Sequence, residues 1–412
     1  MSHKPHYAWL ICLGGCLSLM ICMGLGANVY TIYQPEVIAQ NGFTNAQGSW
    51  ITTTRSLFIL ATLLTVNQLC DRLGLRLVMT LGMALVGIGC FSFGAAGSFP
   101  MYCVSAAITG VGYCLGGMVP LSLIIANWFH AHRSLALGIA SAGSGLTTIF
   151  MPPVITALIR DYSLRAAFFA EGAFILIVTA LTWFLLRSDP KDMGLLPYGE
   201  EVVPVEEVKA EEGKSCPPMA IALVLAASFL LGGPVGPAFS HLTVLFSSEG
   251  YDPMVVAGLI SYSGVVLCIA KVVFGQLYDR LGGLMSNFLL FAVLISGLGL
   301  LCVVAPTGSV PAAYGAITVF ISGIAVTAVS PSVWARDLTT AENYPKLVRS
   351  ITTVYTFGML VFGPVPGILA DRTGSYVPGY SVFAVFSLVM AVLVQGVYLK
   401  YGIGRRERAG KA

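Results

Sequence analysis

Twelve apolar segments, separated by short polar stretches, run along this 412-residue chain. About 20 apolar residues span the hydrocarbon layer of a bilayer when they form a helix. A single segment in lipid can satisfy its own backbone hydrogen-bonding groups only as a helix. The sequence therefore predicts an all-α polytopic membrane protein with 12 transmembrane helices. These cover residues 8–34, 46–70, 77–97, 101–128, 134–159, 166–187, 217–248, 254–278, 284–305, 309–335, 349–370 and 377–400.

The composition agrees with a membrane location. The chain is 56% hydrophobic and only 10% charged, whereas a soluble protein carries about 25% charged residues. The loops between the apolar segments are too short for a large soluble domain. Because no small-residue cleavage site follows the first apolar segment, we expect that segment to be a transmembrane helix rather than a removed signal peptide.

The placement of lysine and arginine predicts the orientation. An even number of spans puts both termini on the same side of the membrane. Only Arg160, Arg165 and Arg372 would lie on the opposite side, and Arg55 and Lys271 lie within spans. All other basic residues fall on the side of the termini. Since basic loops stay in the cytoplasm, we expect a multi-pass protein of the cell inner membrane with both termini cytoplasmic.

The two halves of the chain repeat. The sequence DRLG occurs at 71–74, where the second segment ends, and again 208 residues later at 279–282, where the eighth ends. At the same offset Gly24 falls on Gly232 and the first segment aligns with the seventh. The repeat predicts two pseudo-symmetric six-helix bundles. Such a duplication indicates a secondary transporter with its site at the repeat interface, near mid-membrane.

The boundary between the halves is polar. Residues 188–216 contain six glutamates and few apolar side chains, which is typical of a solvated connector. We therefore predict an N-terminal six-helix bundle at 1–187, a cytoplasmic linker at 188–216 and a C-terminal six-helix bundle at 217–412.

One lysine lies deep in the eighth segment. Lys271 precedes Asp279 by eight residues, or ~12 Å of helix. A charge near mid-membrane costs at least about 3 kcal/mol, so it is tolerated only facing water, a counter-charge or a ligand. No acidic residue lies within one turn on the same segment. Lys271 is therefore the predicted anchor of an anionic substrate, with a structural ion pair as the alternative.

Two further ionisable residues leave alternatives open. Arg55 could bind a second carboxylate or attract anions, or it could extend to the membrane surface. His241 aligns with Tyr33 in the repeat and follows glycines and prolines that should kink the seventh segment. It is a candidate proton carrier, because histidine titrates near physiological pH, or else a plain hydrogen-bonding residue.

Other polar side chains on the apolar segments are candidates for substrate binding, with packing or interfacial anchoring as the alternative. Asn28 is the strongest, because an amide facing lipid is costly. Glu171, near the start of the sixth segment, is interpreted as an acid at the membrane interface. The remaining candidates are Tyr30, Tyr33, Tyr113, Tyr262, Tyr355 and Thr356.

The sequence contains nothing that indicates catalysis. It has no phosphate-binding loop and no nucleophile–base pair, so we expect neither an enzyme nor a cofactor. The ten cysteines form no CxxC motif and accompany no histidine cluster, so we expect neither a disulfide nor a metal site. The expected partners are a small organic anion, protons or a counter-anion, and the lipid bilayer, with no nucleic acid. We expect a monomer.

The repeated DRLG sequences resemble the loop signature of the major facilitator superfamily, G-x-L-x-D-R-x-G-R-R. The second copy matches through Gly275, Leu277, Asp279, Arg280 and Gly282. The first matches through Leu69, Asp71, Arg72, Gly74 and Arg76, with Asn67 in place of the first glycine. The resemblance covers the whole chain and implies the fold of that superfamily. It also implies that these residues control the conformational change.

Within the superfamily the chain is similar to the monocarboxylate transporter and oxalate/formate antiporter group. The similarity includes Ser49-Trp50 and Asn127-Trp128-Phe129, and a basic residue eight before the aspartate of the eighth span. In that group an arginine commonly binds the substrate carboxylate there, which implies the same role for Lys271.

Two departures from the sequence pattern of that group bear on the charge of the expected substrate. Leu267 stands where proton-coupled animal carriers have an aspartate, and Thr356 stands where oxalate-type exchangers have a second cation. The resemblance therefore implies a secondary active transporter for a small monoanion, such as a monocarboxylate. It would work by alternating access, with proton symport or anion exchange. The alternatives are an efflux carrier for larger amphipathic compounds and a non-transporting membrane sensor.

Overall fold

A computed structural model describes residues 6–130, 133–199, 216–340 and 343–403. These residues are helical apart from short connections, and the described ranges contain no β-strand. The chain falls into two compact units, Met1–Val205 and Glu206–Ala412, here called unit 1 and unit 2. Residues 200–215 of the predicted linker lie outside the described residues.

Unit 1 holds the first six predicted spans. The first span changes from α-helix to π-helix and back, and the second is bent by 57° between α3 and α4. The helices are α1 (Ala8–Leu19), a π-helical segment (Met20–Asn28), α2 (Tyr30–Asn41), α3 (Asn45–Leu63), α4 (Val66–Leu73), α5 (Leu75–Ala95), α6 (Phe99–Leu115), α7 (Met118–Trp128), α8 (Arg133–Asp161) and α9 (Leu164–Leu185).

Unit 2 holds the last six predicted spans. Its longest helix, α12, covers two of them. Gly282, with φ 75° and ψ 172°, breaks the helix between these two spans. The helices are α10 (Pro218–Ser240), α11 (Leu242–Ser248), α12 (Pro253–Val304), α13 (Val310–Ile324), α14 (Val326–Leu338), α15 (Tyr344–Phe362), α16 (Val365–Thr373) and α17 (Val377–Tyr401).

Each predicted span coincides with a helix or a pair of helices. Within the described ranges, ten helical stretches are long and apolar enough to cross a membrane, and the bent pair α3 and α4 would make eleven. The predicted span at 309–335 is divided between α13, which has only 15 residues, and α14. The division explains why length and apolarity recover fewer spans than the twelve predicted.

Glycines with positive φ reproduce the repeat in the backbone. Two pairs of such glycines at equivalent helix ends are separated by the same offset of 208 residues. Only glycine adopts these conformations without strain, so the glycine of each DRLG sequence is required by the turn that ends its helix. The pairs are Gly42 and Gly250 (φ 64° and 82°), and Gly74 and Gly282 (81° and 75°).

Small residues allow the closest helix crossings inside each unit. In unit 1 the π-helical segment packs on α8, where Gly24 lies against the side chain of Thr147. In unit 2 α10 packs on α15, where Gly232 lies against the backbone of Gly358. Glycine at such crossings lets helix backbones approach closely, which drives packing in membranes.

The first part of the predicted linker is ordered against unit 1. The indole nitrogen of Trp128 donates to the carbonyl of Arg187 at 2.9 Å. The backbone of Tyr198 pairs with the carbonyl of Trp128 and the amide of His130, at 2.9 and 3.0 Å. The chain therefore stays in contact with unit 1 as far as residue 198.

Candidate functional site

Lys271 lies on α12 with an exposed side chain. The exposed apolar side chains of this stretch define the face of the helix that suits lipid, and they are Val265, Ile269, Val272 and Val273. Each residue turns about 100° around a helix, so Lys271 lies about 100° or more from each of them. It shares its own side of the helix with Leu267 and the buried Tyr278. The ammonium group therefore projects away from the apolar face.

Lys271 has no acidic partner among the described residues. Across the part of the chain that the structure describes, the salt bridges join Arg160 to Asp161 and Arg336 to Asp337, and none includes Lys271. The structural ion pair considered from the sequence is therefore absent from the described residues. What remains for this charge is water or an anionic ligand.

Two of the other candidates in unit 2, Tyr262 and Thr356, have hydrogen-bond partners of their own. Tyr262 lies about half a turn around α12 from Lys271, and its hydroxyl bonds Thr318 on α13 at 2.9 Å. On α15, Tyr355 is half-buried, and the hydroxyl of Thr356 donates to the carbonyl of Thr352 in the same helix at 2.8 Å. Thr356 is thus already hydrogen-bonded within its own helix.

His241 lies at the break between α10 and α11. Its side chain is completely buried, and its Nδ1 is 2.9 Å from the carbonyl oxygen of Pro237. Its ring lies 5.9 Å from that of Tyr376, measured between centroids. Pro234 and Pro237 lie in the preceding turns, and proline disrupts helical hydrogen bonding there.

Arg55 is buried inside unit 1, with 6% of its surface exposed. Its Nη1 donates to the carbonyl of Gly26 at 3.0 Å, and its guanidinium lies 4.9 Å from the ring centroid of Tyr30. Gly26 belongs to the π-helical segment, a local distortion that is frequent at functional sites. The alternative in which Arg55 extends to the membrane surface is therefore wrong.

The remaining candidates of unit 1 differ in their partners. The amide of Asn28 donates to the hydroxyl of Thr148 on α8 at 3.0 Å, so it links the first span to the fifth. Tyr113 is half-buried on α6. Tyr30 is buried, and its hydroxyl has no hydrogen-bond partner in the described part of the chain.

The structure reveals one polar pair that the sequence interpretation missed. The hydroxyl of Tyr33 donates to Oε2 of Glu171 on α9 at 2.6 Å. Glu171 is only 3% exposed, so its interpretation as an acid at the membrane interface is wrong. It lies seven residues into α9, or ~10 Å, between the buried Phe168 and Ile175 on one helix face. The apolar residues three positions before and four positions after Glu171 were the sequence signal that could have predicted its burial.

The aromatic contact of Tyr33 has a counterpart in unit 2. Tyr33 stacks on Phe168 of α9 with ring centroids 4.0 Å apart, and His241, which follows Tyr33 by 208 residues, lies beside Tyr376 at the start of α17. Glu171 has no counterpart there, because α17 contains no aspartate or glutamate.

The signature residues lie at helix ends. Asp71, Arg72 and Arg280 are exposed, Gly275 lies within α12, and the side chain of Asp279 is outside the described residues. Arg76 donates from Nε and Nη2 to the carbonyl of Trp183 at 3.1 and 2.7 Å and lies over its ring at 3.9 Å. Arg76 thus fastens the start of α5 to the end of α9.

The described ranges contain no group of three or more metal-ligating side chains.

The family of this chain follows from a sequence match. The family model described as the Major Facilitator Superfamily matches residues 16–341. The chain belongs to the major facilitator superfamily. It is therefore a multi-pass membrane transporter and not an enzyme.

Among members of this superfamily, two relatives cover nearly the whole chain. Human monocarboxylate transporter 12 is 25% identical over 95% of this chain and 80% of its own length. Monocarboxylate transporter 13 from Bos taurus is 24% identical over 93% of this chain and 87% of its own length. The similarity to the monocarboxylate group predicted from the sequence is thus confirmed at low identity.

Solved structures of other superfamily transporters share the fold. A bacterial homologue of the human lysosomal transporter Spinster has a TM-score of 0.72 and 15% identity, over 98% of this chain and 100% of that one. The nucleoside transporter NupG has a TM-score of 0.75 and 14% identity, over 95% of this chain and 100% of that one. At these identities the likeness confirms the predicted fold alone.

Proposed function

We propose that this protein is a secondary active transporter that moves a small organic monoanion, of the monocarboxylate class, by alternating access. The observation that carries the proposal is Lys271, a membrane-embedded ammonium group on the side of α12 away from its apolar face and without an acidic partner in the described ranges. The names of the monocarboxylate transporter relatives support the same chemical class.

The number of available cations favours a monoanion. Arg55, the other basic residue within the predicted spans, already donates to Gly26 and packs on Tyr30. Thr356 stands where a second cation would be needed and carries no charge. A lysine is a compact point charge without the two-pronged geometry of arginine. One ammonium group therefore neutralises one carboxylate.

Half-buried polar side chains complete the proposed binding set. We assign hydrogen-bonding roles toward the substrate to Asn28, Tyr113 and Tyr355, each of which keeps part of its surface accessible. We propose that both termini are cytoplasmic, on the strength of the basic-residue distribution, and that the protein is a monomer in the cell inner membrane. Binding of the carboxylate would neutralise Lys271 and favour the next conformation of the cycle.

Uptake into proteoliposomes tests the assignment. Short monocarboxylates such as lactate and pyruvate should compete for the same uptake, and Lys271→Ala should lower uptake about 100-fold, because removing one partner of a desolvated charge pair costs several kcal/mol. Lys271→Arg should retain part of the activity. Lys400→Ala is the matched control, since that lysine lies at the end of α17 beside Tyr401.

Three results would contradict the proposal. Wild-type uptake by Lys271→Ala would show that the lysine binds no substrate. Inhibition by hydrophobic cations, and not by carboxylates, would favour efflux of amphipathic compounds. Turnover no faster than leak in the wild-type protein would favour the non-transporting sensor.

A further inference from the structure

The pair of Tyr33 and Glu171 places an ionisable group inside unit 1 that the proposed substrate site does not use. Glu171 Oε2 accepts the hydroxyl of Tyr33 at 2.6 Å. Glu171 Oε1 is also buried and has no hydrogen-bond partner in the described part of the chain. The ring of Tyr33 is fixed by stacking on Phe168. One carboxyl oxygen is thus held in place while the other is available to bind a proton.

No cation compensates this carboxyl group among the described residues. The titratable groups that face it are the hydroxyl of Tyr33 from α2 and the buried thiol of Cys90 from α5. From α8, Arg160 and Asp161 pair with each other at the exposed end of the helix. A buried carboxylate without a positive partner is very costly, whereas the neutral acid can be accommodated. The site therefore suits a group that gains and loses a proton during a cycle.

Further buried polar groups lie on the face of α2 that carries Tyr33. Tyr33 and Gln34 follow Tyr30 by three and four residues, so the three side chains share one face of the helix. Both amide atoms of Gln34 and the hydroxyl of Tyr30 are buried without a hydrogen-bond partner in the described ranges. Beyond them Arg55 lies against the ring of Tyr30. Buried polar atoms of this kind are normally satisfied by ordered water, and chains of hydrogen bonds can relay protons.

We propose that Glu171 is the proton-carrying residue of the transport cycle, and that Tyr30, Tyr33 and Gln34 form the hydrogen-bonded route to it. The inference rests on the proposed monoanion transport. Glu171 takes a proton from water on one side of the membrane and returns it to water on the other. One proton and one monoanion then cross together, so no net charge moves.

This proposal assigns proton coupling to Glu171 of unit 1 and not to His241, the candidate from the sequence. His241 occupies the position of Tyr33 in the repeat and already holds the carbonyl of Pro237. The last helix of unit 2, α17, contains no carboxyl group that could take the place of Glu171. The two assignments make opposite predictions for substitutions at residues 171 and 241.

Two transport assays distinguish a loss of proton coupling from a loss of substrate binding. Proteoliposomes should be assayed with radiolabelled lactate for accumulation driven by a pH gradient and for counterflow exchange without a gradient. Glu171→Gln should lose accumulation and keep counterflow, whereas His241→Gln should keep both. Glu36→Gln is the matched control, because Glu36 lies on α2 and bonds only the exposed Gln40. Accumulation by Glu171→Gln at the wild-type level, or its loss in His241→Gln alone, would overturn the proposal.

Infrared spectroscopy of the purified protein tests the proton site without any substrate. The C=O band of a protonated, buried carboxylic acid should be present in wild type and in Glu36→Gln and absent from Glu171→Gln. It should shift in Tyr33→Phe, which removes one hydrogen bond. If wild type shows this band but transports no carboxylate, the proposed function fails and the proton site stands. If the band is missing, the proton site is wrong. Should Glu171→Gln fail to fold, Tyr33→Phe replaces it, with a shifted pH dependence of uptake as the expected result.

Discussion

The two units share one fold and place their membrane-embedded cations differently. Unit 1 buries Arg55 against a backbone carbonyl and an aromatic ring, whereas unit 2 exposes Lys271 without an acidic partner in the described ranges. At the repeat offset of 208 the corresponding residues are Ser263 and Leu63, both uncharged. The comparison teaches that the environment of a charge in a span, and not its presence, separates a cation that is bonded inside its unit from one that is available to a ligand.

The first spans of the two units also differ in how they depart from a regular α-helix. In unit 1 the departure is a π-helical segment, and in unit 2 it is a pair of prolines, Pro234 and Pro237. Both devices change the backbone hydrogen bonding where glycines cross a neighbouring helix. The crossing is against a side chain in unit 1 and against backbone in unit 2.

The largest expected effect concerns these crossings. A Cβ at Gly232 would meet the backbone of Gly358 and Met359, which cannot rotate away, whereas at Gly24 it would meet Thr147. Gly232→Ala should lower the free energy of unfolding by about 3 kcal/mol, and Gly24→Ala by less. Denaturant unfolding in detergent measures both. Gly299→Ala is the control, because its Cβ would meet nothing within 4 Å. Equal losses at Gly24 and Gly232 would remove this difference between the units.

A second prediction compares the two cations. Arg55→Met leaves the Gly26 carbonyl without its side-chain donor in a buried place, so it should lower the free energy of unfolding by about 2 kcal/mol. Lys271→Met should leave the unfolding midpoint unchanged, because an exposed lysine without a partner stabilises nothing that unfolding would lose. The same denaturation experiment measures the stability of both variants. A loss for Lys271→Met as large as that for Arg55→Met would mean that Lys271 has a structural role.

The smallest expected effect concerns the glycines of the two DRLG sequences, in which the two units are alike. Gly74 and Gly282 have positive φ with ψ of 148° and 172°, a region that other residues enter only with strain. Gly74→Ala and Gly282→Ala should each lower the free energy of unfolding by about 1 kcal/mol. Thermal unfolding of the two variants in parallel measures this. Gly138→Ala, where a Cβ would meet nothing within 4 Å, should cost nothing. A cost at one motif glycine alone would show that the two turns are not equivalent.

Much of the fold could be predicted from the sequence because membranes impose a simple rule. Apolar runs had to be helices, and the repeated DRLG predicted equivalent turns that the paired glycines confirm. The span at 309–335 is not recovered as one long apolar helix, and the sequence does not indicate that the helix breaks at Ala325. For the candidate site, Lys271 was identified because its solvation cost can be judged along one helix. Arg55 and Glu171 needed neighbours from other helices.

The sequence by itself determined the membrane class, the duplicated bundle and the presence of an ammonium group deep in the eighth span. These depend on hydrophobicity, periodicity and charge, which act along a single segment. Only the tertiary structure decided that Arg55 donates to Gly26, that Glu171 is buried and bonded to Tyr33, and that Lys271 points away from the apolar face. Hydrogen bonds and burial join residues far apart in the chain, so they depend on which helices pack together.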